Sequence, residues 1–151
     1  MKEKSRQGAV VEQAIESGSP ERTEAIAADL AASLRGGEVI ALNGDLGAGK
    51  TRFVRGLLRG VGGSERAVSS PTFVLLNVYP GGRLTVYHLD AYRVAGADDF
   101  EAIGFSELLE QGGVVVVEWA SRVSELLPPS RIDITIEHQG DDRRRLVIRN
   151  L

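Results

Sequence analysis

The chain contains no cysteine, which excludes disulfides, thiolate metal sites and cysteine-ligated iron–sulfur clusters. That fits a reducing cytoplasm. Long hydrophobic runs are also missing: none approaches the roughly 20 apolar residues needed to cross a bilayer. The polar start from Met1 to Gly8 does not read as a signal peptide, so neither a membrane nor an export route is expected. There is no basic excess either. A formal net charge of -3 argues against a nucleic-acid binder working by bulk electrostatics, while leaving room for a local basic patch. What is present is ordinary for a globular protein, with 42% hydrophobic and 26% charged residues. At 151 residues, a single domain would bury about two thirds of its unfolded surface.

Residues 1–18 are mostly polar and are expected to form a frayed, disordered extension, with a helical turn or two over Ala9 to Ile15 as the alternative. Residues 19–151 form the expected domain. Ser19-Pro20-Glu21 combines an N-cap, a first-turn proline and an acid at the positive end of a helix dipole. Ile26, Ala27, Leu30, Ala31 and Leu34 follow at helical spacing, and Gly36-Gly37 stops the helix. Val39 to Leu42 reads as a buried strand. A second helix runs from Lys50 to about Gly60, with Phe53, Val54, Leu57, Leu58 and Val61 on its core stripe and Arg52, Arg55 and Arg59 on the other face. Phe73–Tyr79 and Arg83–Leu89 flank Pro80-Gly81-Gly82, a hairpin signal with a three-residue loop. Asp98 to Gln111 reads as a helix broken at Gly104, and Val114 to Val117 as a strand buried on both faces. A short helix from Ser121 stops at Pro128-Pro129, and Ile132, Ile134 and Ile136 pair with Leu146 and Ile148 in a last hairpin. The pattern implies an α/β fold: a three-layer sandwich around a mixed β-sheet, of the kind that carries P-loops.

Gly44-Asp45-Leu46-Gly47-Ala48-Gly49-Lys50-Thr51 matches G-x-x-x-x-G-K-S/T between that strand and the second helix. The glycines permit positive φ and leave room for main-chain amides to turn inward as an anion nest. The helix start near Lys50 adds unpaired amides and the positive dipole end. Lys50 can bridge outer phosphates and the Thr51 hydroxyl can ligate Mg²⁺. The pattern should arise by chance in roughly one chain in 200 of this length. Nucleotide contacts are therefore expected from Asp45, Leu46, Gly47, Ala48, Gly49, Lys50 and Thr51, with Arg52 next along the helix.

Mg²⁺ bound to ATP needs further oxygen ligands, and these usually stand at the end of a neighbouring strand. Asp90 follows Leu84–Leu89 and Glu118 follows Val114–Val117, so either acid would lie at the carboxyl edge of the sheet. An N-K-x-D pattern is absent, as is D-x-x-G after the second strand, which disfavours a Ras-like GTPase. A small-molecule kinase would need more chain for a lid and acceptor pocket.

G-D-L-G-A-G-K-T at 44–51, S-P-T-F at 70–73, Y-H-L-D-A-Y-R at 87–93 and Glu118-Trp119 together resemble the TsaE (YjeE) family of small bacterial ATPases required for threonylcarbamoyladenosine modification of tRNA. The similarity covers roughly Thr23 to Ile136. The resemblance implies a Mg²⁺-dependent, partner-stimulated ATPase that docks on a TsaD–TsaB complex rather than transferring the threonylcarbamoyl group itself. A nucleotide-gated binding module that does not need hydrolysis is the alternative. Carried over by motif position, Lys50 serves the phosphates and Thr51 the metal. Glu118 is a metal ligand or an organiser of attacking water, Asp90 supports the metal shell, and Thr72 sits in a switch-like loop sensing the γ-phosphate. Trp119 would lie beside the nucleotide, with a core or interface aromatic as the equal alternative, and Ser19–Thr23 is a candidate for contact with the base. His88 reads as a packed strand residue unless it orients Asp90. The arginine groups at 52/55/59 and 143–145 read as solvated faces or hairpin edge, with tRNA or an acidic partner as the functional alternative. Family members commonly continue with proline after the tryptophan, whereas this chain has Ala120-Ser121.

Overall fold

A computed structural model describes residues 11–45, 47–64, 76–92 and 97–150. The elements in chain order are β1 (Val11–Ser17), α1 (Pro20–Ala31), β2 (Val39–Asn43), α2 (Lys50–Gly60), β3 (Leu76–Tyr79), β4 (Val86–Asp90), α3 (Ala97–Ala102), α4 (Phe105–Leu109), β5 (Val114–Glu118), a 3-10 stretch (Ala120–Leu126), β6 (Ile132–His138) and β7 (Arg144–Asn150). The seven strands form one mixed sheet in the order β1-β7-β6-β2-β5-β4-β3. Its centre is parallel, β6-β2-β5-β4, and the outer pairings are antiparallel.

Alternation along the central strands builds two cores. Ile40 and Leu42 of β2 face Phe53, Val54 and Leu57 of α2 and Ile26 and Ala27 of α1, together with Val116, Ile134 and Ile136. Val39 and Ala41 face the opposite side with Val115, Val117, Phe100, Phe105 and Val123. Val114 to Val117 are all buried, as a strand covered on both faces requires. The three layers expected of the chain are therefore present.

Helix α1 begins as its sequence predicts: the Ser19 hydroxyl accepts the Arg22 amide at 3.1 Å, with Pro20 in the first turn. It lies closely on α2. A Cβ on Gly56 would come within 2.7 Å of Glu24 Cα and overlap the Glu24 carbonyl. Glycine at that position lets the two backbones meet.

Two expectations change. Residues 11–17 form a strand rather than a helical turn, pairing with β7 from Val11↔Asn150 to Ser17↔Arg144. All but two of those residues are exposed, so the main-chain ladder to β7 holds the strand more than burial does, with exposed ion pairs such as Glu12–Arg149 across it. Residues 1–10 lie outside the described residues. The β3–β4 connection is also longer than three residues, because Arg83 is diverted to other work. Its amide donates to Val61 O at 2.7 Å, and its guanidinium donates to Ala31 O and Leu34 O at 2.7 and 2.8 Å, satisfying carbonyls at the end of α1.

Candidate functional site

The turn from β2 into α2 lies at the carboxyl edge of the parallel strands, the edge where open α/β sheets take ligands. Gly47 and Gly49 have φ of 80° and 107°, conformations that disfavour any side chain. Gly44 is constrained by space: a Cβ there would lie 2.8 Å from Ile136 O and 3.2 Å from Ala48 Cβ. The loop closes on itself through Ala48 N–H donating to Asp45 O at 3.0 Å. Lys50 Nζ donates to Gly44 O and, at 3.4 Å, to Asp45 O. Thr51 stands in the first turn of α2 and Leu46 lies outside the described residues.

Both candidate acids reach this edge. Asp90 and Glu118 are direct partners in the parallel β4–β5 ladder, so one register places both carboxylates at the strand ends. Glu118 is buried, and its Oε2 is 2.5 Å from Nε2 of the fully buried His88. His88 is therefore packed in the strand as expected, and its partner is Glu118 rather than Asp90. With Nε2 directed at Glu118, Nδ1 has no hydrogen-bond partner among the described residues. Asp90 Oδ1 accepts the Tyr92 amide at 2.9 Å.

These charges sense one another. Burial lowers the pKa of the Lys50 ammonium, opposed by the nearby Glu118, Asp90 and Asp45 carboxylates. Burial raises that of Asp90, opposed by the Tyr92 amide and reinforced by Glu118. Lys50 and Asp90 thus lie partly buried beside Glu118 at one sheet edge.

Trp119 follows Glu118 with φ of 57°, a left-handed backbone rare for a large side chain. Its amide donates to Leu42 O at 3.2 Å, tying the end of β5 to the strand that enters the loop. The indole sits with Lys50 Nζ 4.2 Å from its centroid and meets the Tyr92 ring at a tilt of 47°, centroids 4.9 Å apart. Arg52 bonds Glu24 at 2.7 Å from α2 to α1. A shallow cleft beside Gly49 is lined by Pro20, Thr23, Arg52, Asp142 and Arg144, which brings part of the 19–23 segment to the loop. Thr72 lies outside the described residues. Among the described residues no group of three or more His, Asp or Glu could enclose a metal alone.

Two contributors were not visible in the sequence. His88 as the partner of Glu118 depends on the β4–β5 register, which periodicity does not supply. Arg144, the middle of three consecutive arginines, carries no local mark, yet its guanidinium reaches the loop: Nε donates to Ala48 O at 2.8 Å and Nη2 to Gly47 O at 3.1 Å. The available clue was topological. A β6 parallel to β2 puts the β6–β7 turn at the edge where the loop lies.

A mixed sheet covered on both faces, with a glycine-rich turn feeding α2 beside the ends of two acidic strands, defines an α/β protein of P-loop-like architecture. The family "Threonylcarbamoyl adenosine biosynthesis protein TsaE" matches residues 17–146. The chain belongs to the TsaE family. Among its relatives, the tRNA threonylcarbamoyladenosine biosynthesis protein TsaE of Bacillus subtilis is 44% identical over 85% of this chain and 79% of its own length. That of Treponema pallidum is 45% identical over 76% of this chain and 84% of its own. The crystal structure of Bacillus subtilis YdiB superposes with a TM-score of 0.78 at 36% identity, covering 94% of this chain and 87% of that one. No described helix is long and apolar enough to cross a membrane.

Proposed function

We propose that this chain is an ATP-binding and ATP-hydrolysing protein of tRNA threonylcarbamoyladenosine biosynthesis, acting in the cytoplasm on a TsaD–TsaB complex. Membership of the TsaE family supports the pathway. The observation that carries the nucleotide reading is the meeting of the Gly44–Thr51 turn, Lys50 and the Asp90–Glu118 pair at one sheet edge.

Each group has a task in that reading. Loop amides and the start of α2 receive the polyphosphate. Lys50, held on two loop carbonyls, exchanges them for phosphate oxygens, which relieves the charge deficit that burial imposes. Thr51 and one or both of Glu118 and Asp90 would hold Mg²⁺, a cation suited to a site with few protein oxygens because it also takes phosphate and water. When bound, the ion would neutralise charge developing on the phosphates. His88 keeps the Glu118 carboxylate in one orientation, aimed for the metal or for the attacking water. Trp119 lies against the Lys50 ammonium beside the same pocket.

Calorimetric titration with ATP and Mg²⁺, followed by ATPase assays with and without TsaD and TsaB homologues, tests this reading. The expected result is binding, slow turnover alone and a rise with partners. Lys50→Ala should weaken ATP by roughly ten- to a hundred-fold, the factor for losing a charge-assisted phosphate contact. Fast turnover indifferent to partners would overturn the partner-driven role. If Glu118→Ala abolishes hydrolysis yet preserves tRNA modification, nucleotide occupancy rather than hydrolysis is the working signal. Appearance of a phosphorylated metabolite would instead identify a kinase.

A further inference from the structure

We infer that Arg144 is a positioning residue for the phosphate loop: by holding the Gly47 and Ala48 carbonyls it fixes the turn, and with it the direction of the Gly49 amide, before a ligand binds. The inference rests on the nucleotide reading above and concerns a residue from the far end of the fold. Arg144 opens β7, directly after the β6–β7 turn. A guanidinium has five N–H donors and no acceptor, in a rigid planar fork. Here the fork is divided between two loops. Nε and Nη2 donate to Ala48 O and Gly47 O at 2.8 and 3.1 Å. Nη1 donates to Asp141 O and Arg143 O at 2.8 and 2.9 Å, bracing its own turn.

The consequence follows from peptide geometry. In a trans peptide the C=O and the following N–H lie in one rigid plane and point in opposite directions. Fixing Gly47 O therefore holds the Ala48 amide in its bond to Asp45 O, and fixing Ala48 O sets the direction of the Gly49 amide. Glycine-rich turns have little conformational preference of their own, so an unpinned loop would spend ordering entropy at the moment of binding. Arg144 removes that cost in advance, the general advantage of a preorganised site. The turn that presents it is itself well ordered: Gln139 N–H donates to Arg143 O and Arg143 N–H to Gly140 O, each at 2.9 Å. A backbone Cβ at Gly49 would lie 3.9 Å from Arg144 Nε, so the guanidinium sits directly against the loop's last glycine.

A lysine at 144 keeps a cation near the loop but cannot span both carbonyls and the turn, so it separates charge from geometry. ATP and Mg²⁺ are titrated into wild type, Arg144→Ala, Arg144→Lys and Arg145→Ala, the last being a neighbour whose ion pairs are with Glu16 and Glu137 away from the loop. Melting without nucleotide is recorded for each. The expected result is ATP affinity reduced by about ten-fold or more in both Arg144 variants, with Arg145→Ala unchanged. The KM for ATP should rise while kcat stays within about two-fold, a split that a merely structural loss of stability would not produce. Wild-type affinity in Arg144→Ala, or full rescue by Arg144→Lys, would overturn the inference. Should Arg144→Ala not fold, Arg144→Lys decides by the same comparison. If wild type itself binds no ATP, the nucleotide reading falls first and this inference with it; wild-type binding with unaffected variants removes only the role of Arg144.

Discussion

Asp90 shows what the site costs the protein when no ligand is there. Its carboxyl has a raised pKa chiefly because it is partly buried, and the neighbouring Glu118 adds to the effect. A raised folded-state pKa means that the folded protein holds a proton which the unfolded chain has released, so stability falls as pH climbs from the ordinary aspartate value through the raised one. Asp90→Asn mimics the protonated form and can still accept the Tyr92 amide. In urea titrations without nucleotide, the variant should be more stable than wild type at pH 7. That advantage should vanish once the pH falls below the ordinary aspartate range. An equal advantage at both pH values would show that ionisation is not its source. The same substitution should weaken Mg²⁺-dependent ATP hydrolysis, the trade expected of a residue kept for chemistry rather than stability.

Among the elements, the contact between α1 and α2 depends on one missing side chain. Gly56→Ala would put a methyl group into the Glu24 backbone, which cannot yield as a flexible side chain would. Alanine is the better helix former by about 1 kcal/mol, but overpacking a close contact costs about 1–3 kcal/mol and here meets main chain. A lowered urea midpoint with an unchanged slope is the expected result; equal stability would show that the helices can slide apart freely. The elements most legible in the sequence are those whose burial forces a pattern. Val114–Val117 is apolar throughout because both faces are covered, and Ser19-Pro20 announces α1 because orphan amides need a cap. β1 escaped because Val11–Ser17 is an edge strand with a mostly exposed surface, leaving little hydrophobic signature. The length of the β3–β4 connection escaped because Arg83 answers to helix carbonyls distant in sequence.

For the whole molecule, the proposed nucleotide should act as a stabiliser through linkage. A ligand that binds only the folded chain, at a hundred times its Kd, contributes about 2.7 kcal/mol. For a protein of this size that corresponds to roughly 5–10 °C in Tm. Differential scanning fluorimetry with ATP and Mg²⁺ should show a shift of that order in wild type and one cut to about half or less in Lys50→Ala. Equal shifts in both would place the ligand elsewhere. At this scale the site was only half written in the local sequence. The Gly44–Thr51 turn and the acids at 90 and 118 are recognisable because each sits at a strand end with a chemical reason to be there. Their supports, His88 and Arg144, come from strand register and sheet order, which no short window contains.

The β1–β7 ladder also dictates an order of events during synthesis. Val11 is made well before its ladder partner, Asn150. The pairing that places this segment in the sheet therefore waits on β7. Such distant pairings slow folding and keep an unsatisfied strand available to strangers. Charged residues such as Glu12 and Glu16, which later meet Arg149 and Arg145, would keep that waiting segment soluble.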